Sequence, residues 1–419
     1  MNIMEAASSR SMRFIGHRGA SARFPENTRS SITAALKEAH GSEFDVQRTR
    51  DGRLVVLHDD DLKRTARPWQ TTSTAADEHG PFKTVTTNPL ADEEYEKLIG
   101  TPVCDLDFAQ IENIRVGWPR GHDRANMESD DFYLGESLLD LPAALKLLKI
   151  ANAPFRSGLE GASIKRFLIE IKGGDDEAAA LVARDLIQAN VVPDEITLIG
   201  FSLCTMAAVK ALLPHFSANF IEHQKSEEDA LEAVRKAAEA GLDGVDLCAD
   251  TATVTSRVGK AAKEVELELI VWVWSQLKGC DSLESWKALE QAGVDTFTTD
   301  MPEGLFVADL HSGYNPLVCR LSEPQEAKMR FETKPARSPS PEVAVQVDLL
   351  RLMLPEFTTI DGDSLKDTTA TQSPEIRTAL PLTDTFFEPP DIGEVKWASL
   401  PDVVAVGEKG RTREVSPIE

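Results

Sequence analysis

Two histidines, an arginine and two carboxylates crowd the ends of apolar runs near the start of the chain. His17, Arg18 and Gly19 follow "RFIG", Glu43 and Asp45 stand two apart in "EFDVQ", and His58 with Asp59 closes "LVVLHDD". Further on, "LIEIKGG" sets Glu170 two residues before Lys172. Side chains two apart in a strand point the same way, so each pair converges on one face. Three carboxylates brought together with a lysine would form an oxygen-ligand site for a hard divalent cation. Magnesium or calcium suits such donors better than a metal that seeks thiolate. Histidine titrates near neutrality and could supply acid–base chemistry beside that site.

Each residue also has a plainer reading when taken singly. Paired carboxylates in a strand are often exposed charges, a histidine after an apolar run is often hydrogen-bonded structure, and Lys172 could be a solvated strand end. The combination carries the inference. Buried carboxylates without partners are costly, and a shared cation would partner all three.

These residues need elements to hold them together. Apolar β-rich runs recur at "RFIG", "EFDVQ" with "LVVLH", "RFLIEI", "ITLIGF", "SANFIEH", "LDGVDL", "ELIVWVW" and "VDTFTTD". Six helical patterns lie between them: "ENTRSSITAALKEAHG", "DDEAAALVARDLIQAN", "LCTMAAVKALLP", "SEEDALEAVRKAAEAG", "SRVGKAAKEVE" and "SLESWKALEQAG". Several end in Gly or Asn, as helix C-termini do. Strand–helix alternation predicts a parallel sheet, and about eight strands close a (β/α)8 TIM barrel, whose active site lies at the strand C-termini. An open, doubly wound sheet is the alternative; no Gly-rich dinucleotide or phosphate loop opens any helix. The barrel is expected over residues 13–308. An insertion after the second strand, at about 60–135, is polar and without a clear strand period. Residues 309–419 read as a low-complexity, disordered tail, rich in Pro, Ser and Thr. Within the tail, "VAVQVDLLRLMLPEF" is a candidate short docking helix, for a partner the sequence does not identify.

Composition narrows the function. The formal net charge of −24 over 419 residues argues against nucleic acid and anionic membrane surfaces as partners. An acidic protein that handles an anionic substrate needs a local positive centre. Five cysteines, an odd number without close pairs, fit a reducing compartment. The opening "MNIMEAASSRSM" lacks the apolar core of a signal peptide, and no run approaches the ~18 apolar residues of a membrane span. The expected location is cytoplasmic.

"GHRGASARFPENTRSSITAAL", followed by "EFDVQRTRDGRLVVLHDDDLKRTA", closely resembles the start of glycerophosphodiester phosphodiesterases. "FLIEIKG", "VWVWSQ" and "AGVDTFTTDMPEGL" continue the resemblance, which covers about Arg13 to Leu305. It implies a (β/α)8 fold with a small insertion after the second strand. The implied activity is hydrolysis of a small-molecule phosphodiester to glycerol 3-phosphate and an alcohol. It implies that Glu43, Asp45 and Glu170 hold one divalent ion, that His17 and His58 are the general acid and base in either order, and that Arg18 and Lys172 hold the phosphate. Glu26 and Asn27 read as capping or supporting residues, and Asp59 either as part of the histidine motif or as a solvated turn. The chain departs from the pattern in two places. About 110 residues separate His58 from Glu170, so the insertion is enlarged. The segment "VWVWSQ" lacks the family's asparagine, which leaves Trp272 or, alternatively, Trp274 as the substrate-facing tryptophan. Two other functions remain open: a lysophospholipase D-like enzyme of the same superfamily, and a catalytically silent barrel serving as a binding module.

Overall fold

Strict alternation along the apolar runs gives each strand two different faces. In β1 (Arg13–Gly16) and β2 (Gly41–Arg48), Phe14, Phe44 and Val46 join the main apolar core, while Ile15, Glu43 and Asp45 point the other way. The computed structural model describes residues 12–67, 71–77, 80–87, 90–120, 135–159, 161–174 and 176–302. The chain divides into two units, Met1–Thr359 and Ile360–Glu419, and all described residues belong to the first. The tail and its docking helix, expected over 309–419, lie outside the described residues.

A short β3 (Leu54–Val56) runs antiparallel to β2, so the paired run "EFDVQ…LVVLH" is one barrel strand with a hairpin partner. The segment that follows contains an antiparallel pair, β4 (Thr71–Asp77) and β5 (Gly80–Thr87). Helices α1 (Arg29–Glu38), α2 (Asp92–Ile99) and α3 (Phe108–Ile111) precede a second small pair, β6 (Arg115–Val116) with β7 (Glu136–Ser137). Then come α4 (Leu141–Arg156), β8 (Arg166–Ile171), α5 (Asp176–Ala189), β9 (Ile196–Gly200), α6 (Leu203–Leu212) and β10 (Ser217–Glu222). The described part ends with α7 (Glu227–Glu239), β11 (Gly244–Cys248), α8 (Ser256–Glu264), β12 (Glu268–Trp272), α9 (Leu283–Ala292) and β13 (Thr296–Thr299).

Eight of these strands form a closed parallel barrel in the order β1, β2, β8, β9, β10, β11, β12, β13, with β13 returning to β1. They are the eight units that the sequence rhythm identifies. Closure leaves no exposed edge, which an open sheet would leave. Ile15, Leu168, Ile199, Ile221 and Ile270 fill the inside. The larger core lies between strands and helices, where Phe14 meets Trp286 of α9 edge-on at 5.2 Å and Phe44 meets Phe167 at 4.9 Å. Full burial of each such ring contributes about 1.5–3 kcal/mol. Among the described residues no helix is long and apolar enough to cross a membrane.

Two features go beyond the sequence reading. The 60–135 segment, though without a clear strand period, contains β4, β5 and β6, and its Leu62, Tyr95, Ile99, Ile111 and Val116 pack with Val55 of β3 in a second apolar core. Its apolar residues are spaced too sparsely in polar sequence to give a periodic signal. Helix α4 also lies outside the six helical patterns. It starts at an Asp140 N-cap whose side chain accepts from the Ala143 N–H, and Pro142 occupies the first turn, where its missing N–H costs nothing.

Candidate active site

The strand alternation that turns Phe44 outward turns Glu43 and Asp45 inward, and β8 does the same for Glu170. Register places Asp45 directly beside Glu170. Ligand oxygens of Glu43, Asp45 and Glu170 all lie within 4.8 Å of one another, and all three residues are buried. The Lys172 Nζ lies 2.9 Å from Asp45 Oδ1 and 2.6 Å from Glu170 Oε1. On the other side, the Arg18 backbone N–H donates to Glu43 Oε2 at 2.7 Å, and its Nε lies 3.5 Å from Asp45 Oδ2. Asn27 Nδ2 donates to the same Asp45 oxygen at 2.8 Å. The turn that makes this possible is unusual. Arg18 and Asn27 both have left-handed backbones (φ 52° and 59°), and at Gly19 (φ 86°) a Cβ would run into Ser31 of α1. Only a residue without a side chain fits there.

Electrostatics divides the three carboxylates. Burial drives Glu43 well above the usual carboxylate range, and the charges of Asp45 and Glu170 push it further. Burial and Asp45 raise Glu170 to about 7. Burial would raise Asp45 too, but Lys172, Arg18 and His58 together hold it well below its ordinary value. Lys172 and Arg18 thus hold Asp45 ionised, while Glu43 and Glu170 stay raised even though Lys172 also pairs with Glu170. A set of hard oxygen donors, converging and buried, fits a divalent cation.

Both histidines are oriented through Nδ1. That of His17 lies 2.8 Å from Asp300 Oδ1, and that of His58 lies 2.7 Å from Asp59 Oδ1. Burial works against ionisation of Asp300, yet the hydrogen bonds from His17 and Ser21 hold it below its ordinary value. Asp59 is likewise held low against its burial, by His58 and Arg64. An ionised carboxylate only accepts, so each imidazole donates from Nδ1, and Nε2 is the ring nitrogen not engaged by that carboxylate. His58 also lies close enough to Asp45 to help hold it ionised.

Trp272 is the last residue of β12 and packs against the barrel interior, with Phe201 edge-on at 6.2 Å and His223 at 5.7 Å. Trp274 lies beyond the strand, 4.4 Å from the His223 ring. A cavity of about 300 Å3 opens beside Glu170 and Lys172 and is bounded on its other sides by Gly173, Gly174, Phe201 and Ser202. The structure therefore brings Glu43, Asp45, Glu170, Arg18 and Lys172 together, while Trp272 packs with the barrel-interior isoleucines and edge-on to Phe201.

Three residues given no role by the sequence reading belong here. Asp300 follows the last strand by one residue, where a strand-end carboxylate could have been suspected. Arg64 binds both Asp59 and Glu26. Asp246 points inward from β11, fully buried, with neither oxygen hydrogen-bonded. Glu26 and Asn27 do not cap α1. That cap is Thr28, whose hydroxyl accepts from the Ser31 N–H, and the two preceding residues instead brace Arg18, Arg64 and Asp45.

Asp246 yields a stability prediction. Burial, with Glu170 and Glu268 nearby, raises its pKa well above normal, so the folded protein holds a proton that the unfolded chain releases above about pH 4. Stability is then lost as pH rises from that point towards the folded value, by at most about 1.4 kcal/mol per unit. Asp246→Asn should therefore melt higher than wild type at pH 8, with the gap narrowing towards pH 4. A gap independent of pH would show that Asp246 is not held protonated.

The profile of the glycerophosphoryl diester phosphodiesterase family matches residues 17–304. The chain is 48% identical over 54 residues to a glycerophosphodiester phosphodiesterase of Bacillus altitudinis, 13% of this chain and 22% of that one. It is 44% identical over 66 residues to the Bacillus subtilis glycerophosphodiester phosphodiesterase, 15% of this chain and 22% of that one. These matches span about a fifth of the relatives' length. In fold the matched part of the chain is similar to a crystal structure from Silicibacter pomeroyi, provisionally named a glycerophosphoryl diester phosphodiesterase. The TM-score is 0.51 at 22% identity, covering 70% of this chain and 91% of that one, and it supports the barrel fold.

Proposed function

The chain belongs to the glycerophosphoryl diester phosphodiesterase family, and from that premise we propose that it hydrolyses glycerophosphodiesters to glycerol 3-phosphate and an alcohol. One observation carries the reading: three buried carboxylates converge from two adjoining barrel strands, their ligand oxygens within 4.8 Å of one another, beside Lys172 and Arg18. Glu43, Asp45 and Glu170 would hold one divalent cation, magnesium or calcium. When bound, that ion polarises a phosphoryl oxygen and offsets the carboxylate charge, which otherwise opposes the substrate by about 4 kcal/mol per charge pair at 4 Å.

The chain's own groups supply the rest. Arg18 and Lys172 draw the phosphodiester to the strand ends and hold it there. The departing alkoxide is a poor leaving group, so one histidine donates a proton to it from Nε2. The other removes a proton from the attacking oxygen through the same atom. Asp300 and Asp59 keep each ring in the tautomer that does this, and Trp272 with Phe201 forms the wall beyond the phosphate.

A panel of glycerophosphodiesters, assayed with and without chelator, tests the proposal. The expected result is glycerol 3-phosphate release that chelator abolishes and added divalent ion restores. Choline release from lysolipids as the sole activity would identify a lysophospholipase D-like enzyme instead. No turnover of either class would identify a binding barrel.

A further inference from the structure

We propose that Arg64 is a positioning residue that ties the acid–base histidine His58 to the phosphate-binding Arg18, and that the inserted segment exists in part to hold it. The Arg64 guanidinium uses all three nitrogens. Nε and Nη2 donate to Asp59 at 2.6 and 3.0 Å, while Nη1 and Nη2 donate to Glu26 at 2.7 Å each. Each carboxylate then reaches onward. Asp59 Oδ1 holds His58 Nδ1 at 2.7 Å, and Glu26 Oε1 accepts from Arg18 Nη1 at 3.1 Å. From Arg18 the line continues to Glu43 through its backbone N–H. His58, Asp59, Arg64, Glu26 and Arg18 thus form one continuous chain of charge-assisted hydrogen bonds.

A guanidinium suits this place because its planar fork binds two carboxylates side-on at once, which an ammonium cannot do. Without it, Asp59 and Glu26 would be two partly buried anions with a single remaining cation, Arg18. Glu26 would then turn towards Arg18, and Asp59 would hold the His58 ring alone. Both the proton-transfer ring and the phosphate contact would lose their fixed orientation. Errors of that kind are costly to turnover even when every reacting group is present.

The segment bearing Arg64 is clamped by the insertion. Leu62, fully buried in the second core, donates its N–H to the Ile99 carbonyl at the end of α2. The carbonyls of Arg64 and Thr65 accept from the N–H groups of Arg120 and Gly117. The small core of the insertion therefore fixes the backbone on either side of Arg64, and through it a group at the barrel mouth.

This inference rests on the phosphodiesterase reading for its kinetic part, so its test has two arms. In the first, Arg64→Ala should lower kcat about 10–100-fold, a loss typical of a misplaced reacting group. Guanidinium ion added to that variant should restore part of the turnover, and Arg64→Lys should recover less than guanidinium does. Asp59→Asn with Arg64→Ala should be no worse than the poorer single variant, because the two residues act as one unit. In the second arm, 15N resonances of the His58 ring report its tautomer without any substrate. Wild type should show the Nδ1–H form, and Arg64→Lys a mixture. A protein inactive on phosphodiesters that still shows this tautomer change would remove the functional reading but keep the positioning role. Losses that add with Asp59→Asn, that guanidinium does not restore and that leave the tautomer unchanged would overturn it. Should Arg64→Ala not fold, Arg64→Lys carries both arms.

Discussion

Glu43→Gln removes the divalent-ion-dependent rise in melting temperature together with turnover, while the barrel still folds. Glu43 is buried, accepts one backbone hydrogen bond from Arg18, and is pushed upward by burial and by two neighbouring carboxylates. Without an ion, a carboxyl raised in this way makes the folded state less stable as pH climbs from about 4 towards its folded pKa. Gln has the same size and no charge, so the ion-free variant should be more stable than ion-free wild type at pH 8 and similar to it near pH 4. Ion binding reverses the order. At 100 times its Kd an ion adds about 2.7 kcal/mol to wild type, and the variant, lacking a ligand oxygen charge, should gain far less. Losing the several kcal/mol of charge stabilisation a metal supplies corresponds to a fall in kcat on the order of a thousandfold. Thermal melts across pH, with and without magnesium or calcium, check the first part, and steady-state kinetics checks the second.

Replacing either His17 or His58 by Ala should lower kcat by roughly two to four orders of magnitude. The two rings are held alike through Nδ1 by Asp300 and Asp59, so geometry alone does not separate acid from base. Leaving-group chemistry does. A nitrophenyl ester departs without a proton, so only the variant lacking the acid should recover on that substrate. Ion affinity should change little in either variant, because among the described residues the converging group of possible ligands is Glu43, Asp45 and Glu170 and includes neither histidine. Equal losses on good and poor leaving groups in both variants would remove the acid–base assignment. Collapse of ion affinity in either would make that histidine a ligand.

Much of this architecture was legible in the chain because a parallel barrel strand has strict period two. "EFDVQ" and "LIEIKGG" place their carboxylates on the face opposite Phe44 and Ile169 whatever the surrounding detail, and barrel closure then brings β2 beside β8. Trp272 and Trp274 were indistinguishable by spacing, since both follow the same alternation. The strand ends at Trp272, which joins the interior, while Trp274 lies past it. The orienting carboxylates were harder. His17 and Asp300 meet across 283 residues, and no local pattern announces a partner that only barrel closure supplies. Arg64 was hidden differently: its two partners come from separate loops, and its position depends on the insertion's small core, whose sparse apolar residues leave no period to read. Asp246 alternates inward like its neighbours, but an unpaired carboxyl in a barrel interior runs against the expectation that such positions are apolar.

The most direct measurement is the turnover of chelator-treated protein on a glycerophosphodiester as magnesium or calcium is added back, alongside the number of ions bound per chain. Glycerol 3-phosphate release should rise from near zero and saturate as one ion binds per chain in wild type, with neither response in Glu43→Gln. Full turnover in excess chelator, or unchanged ion binding in that variant, would contradict a phosphodiesterase whose cation is held by Glu43, Asp45 and Glu170.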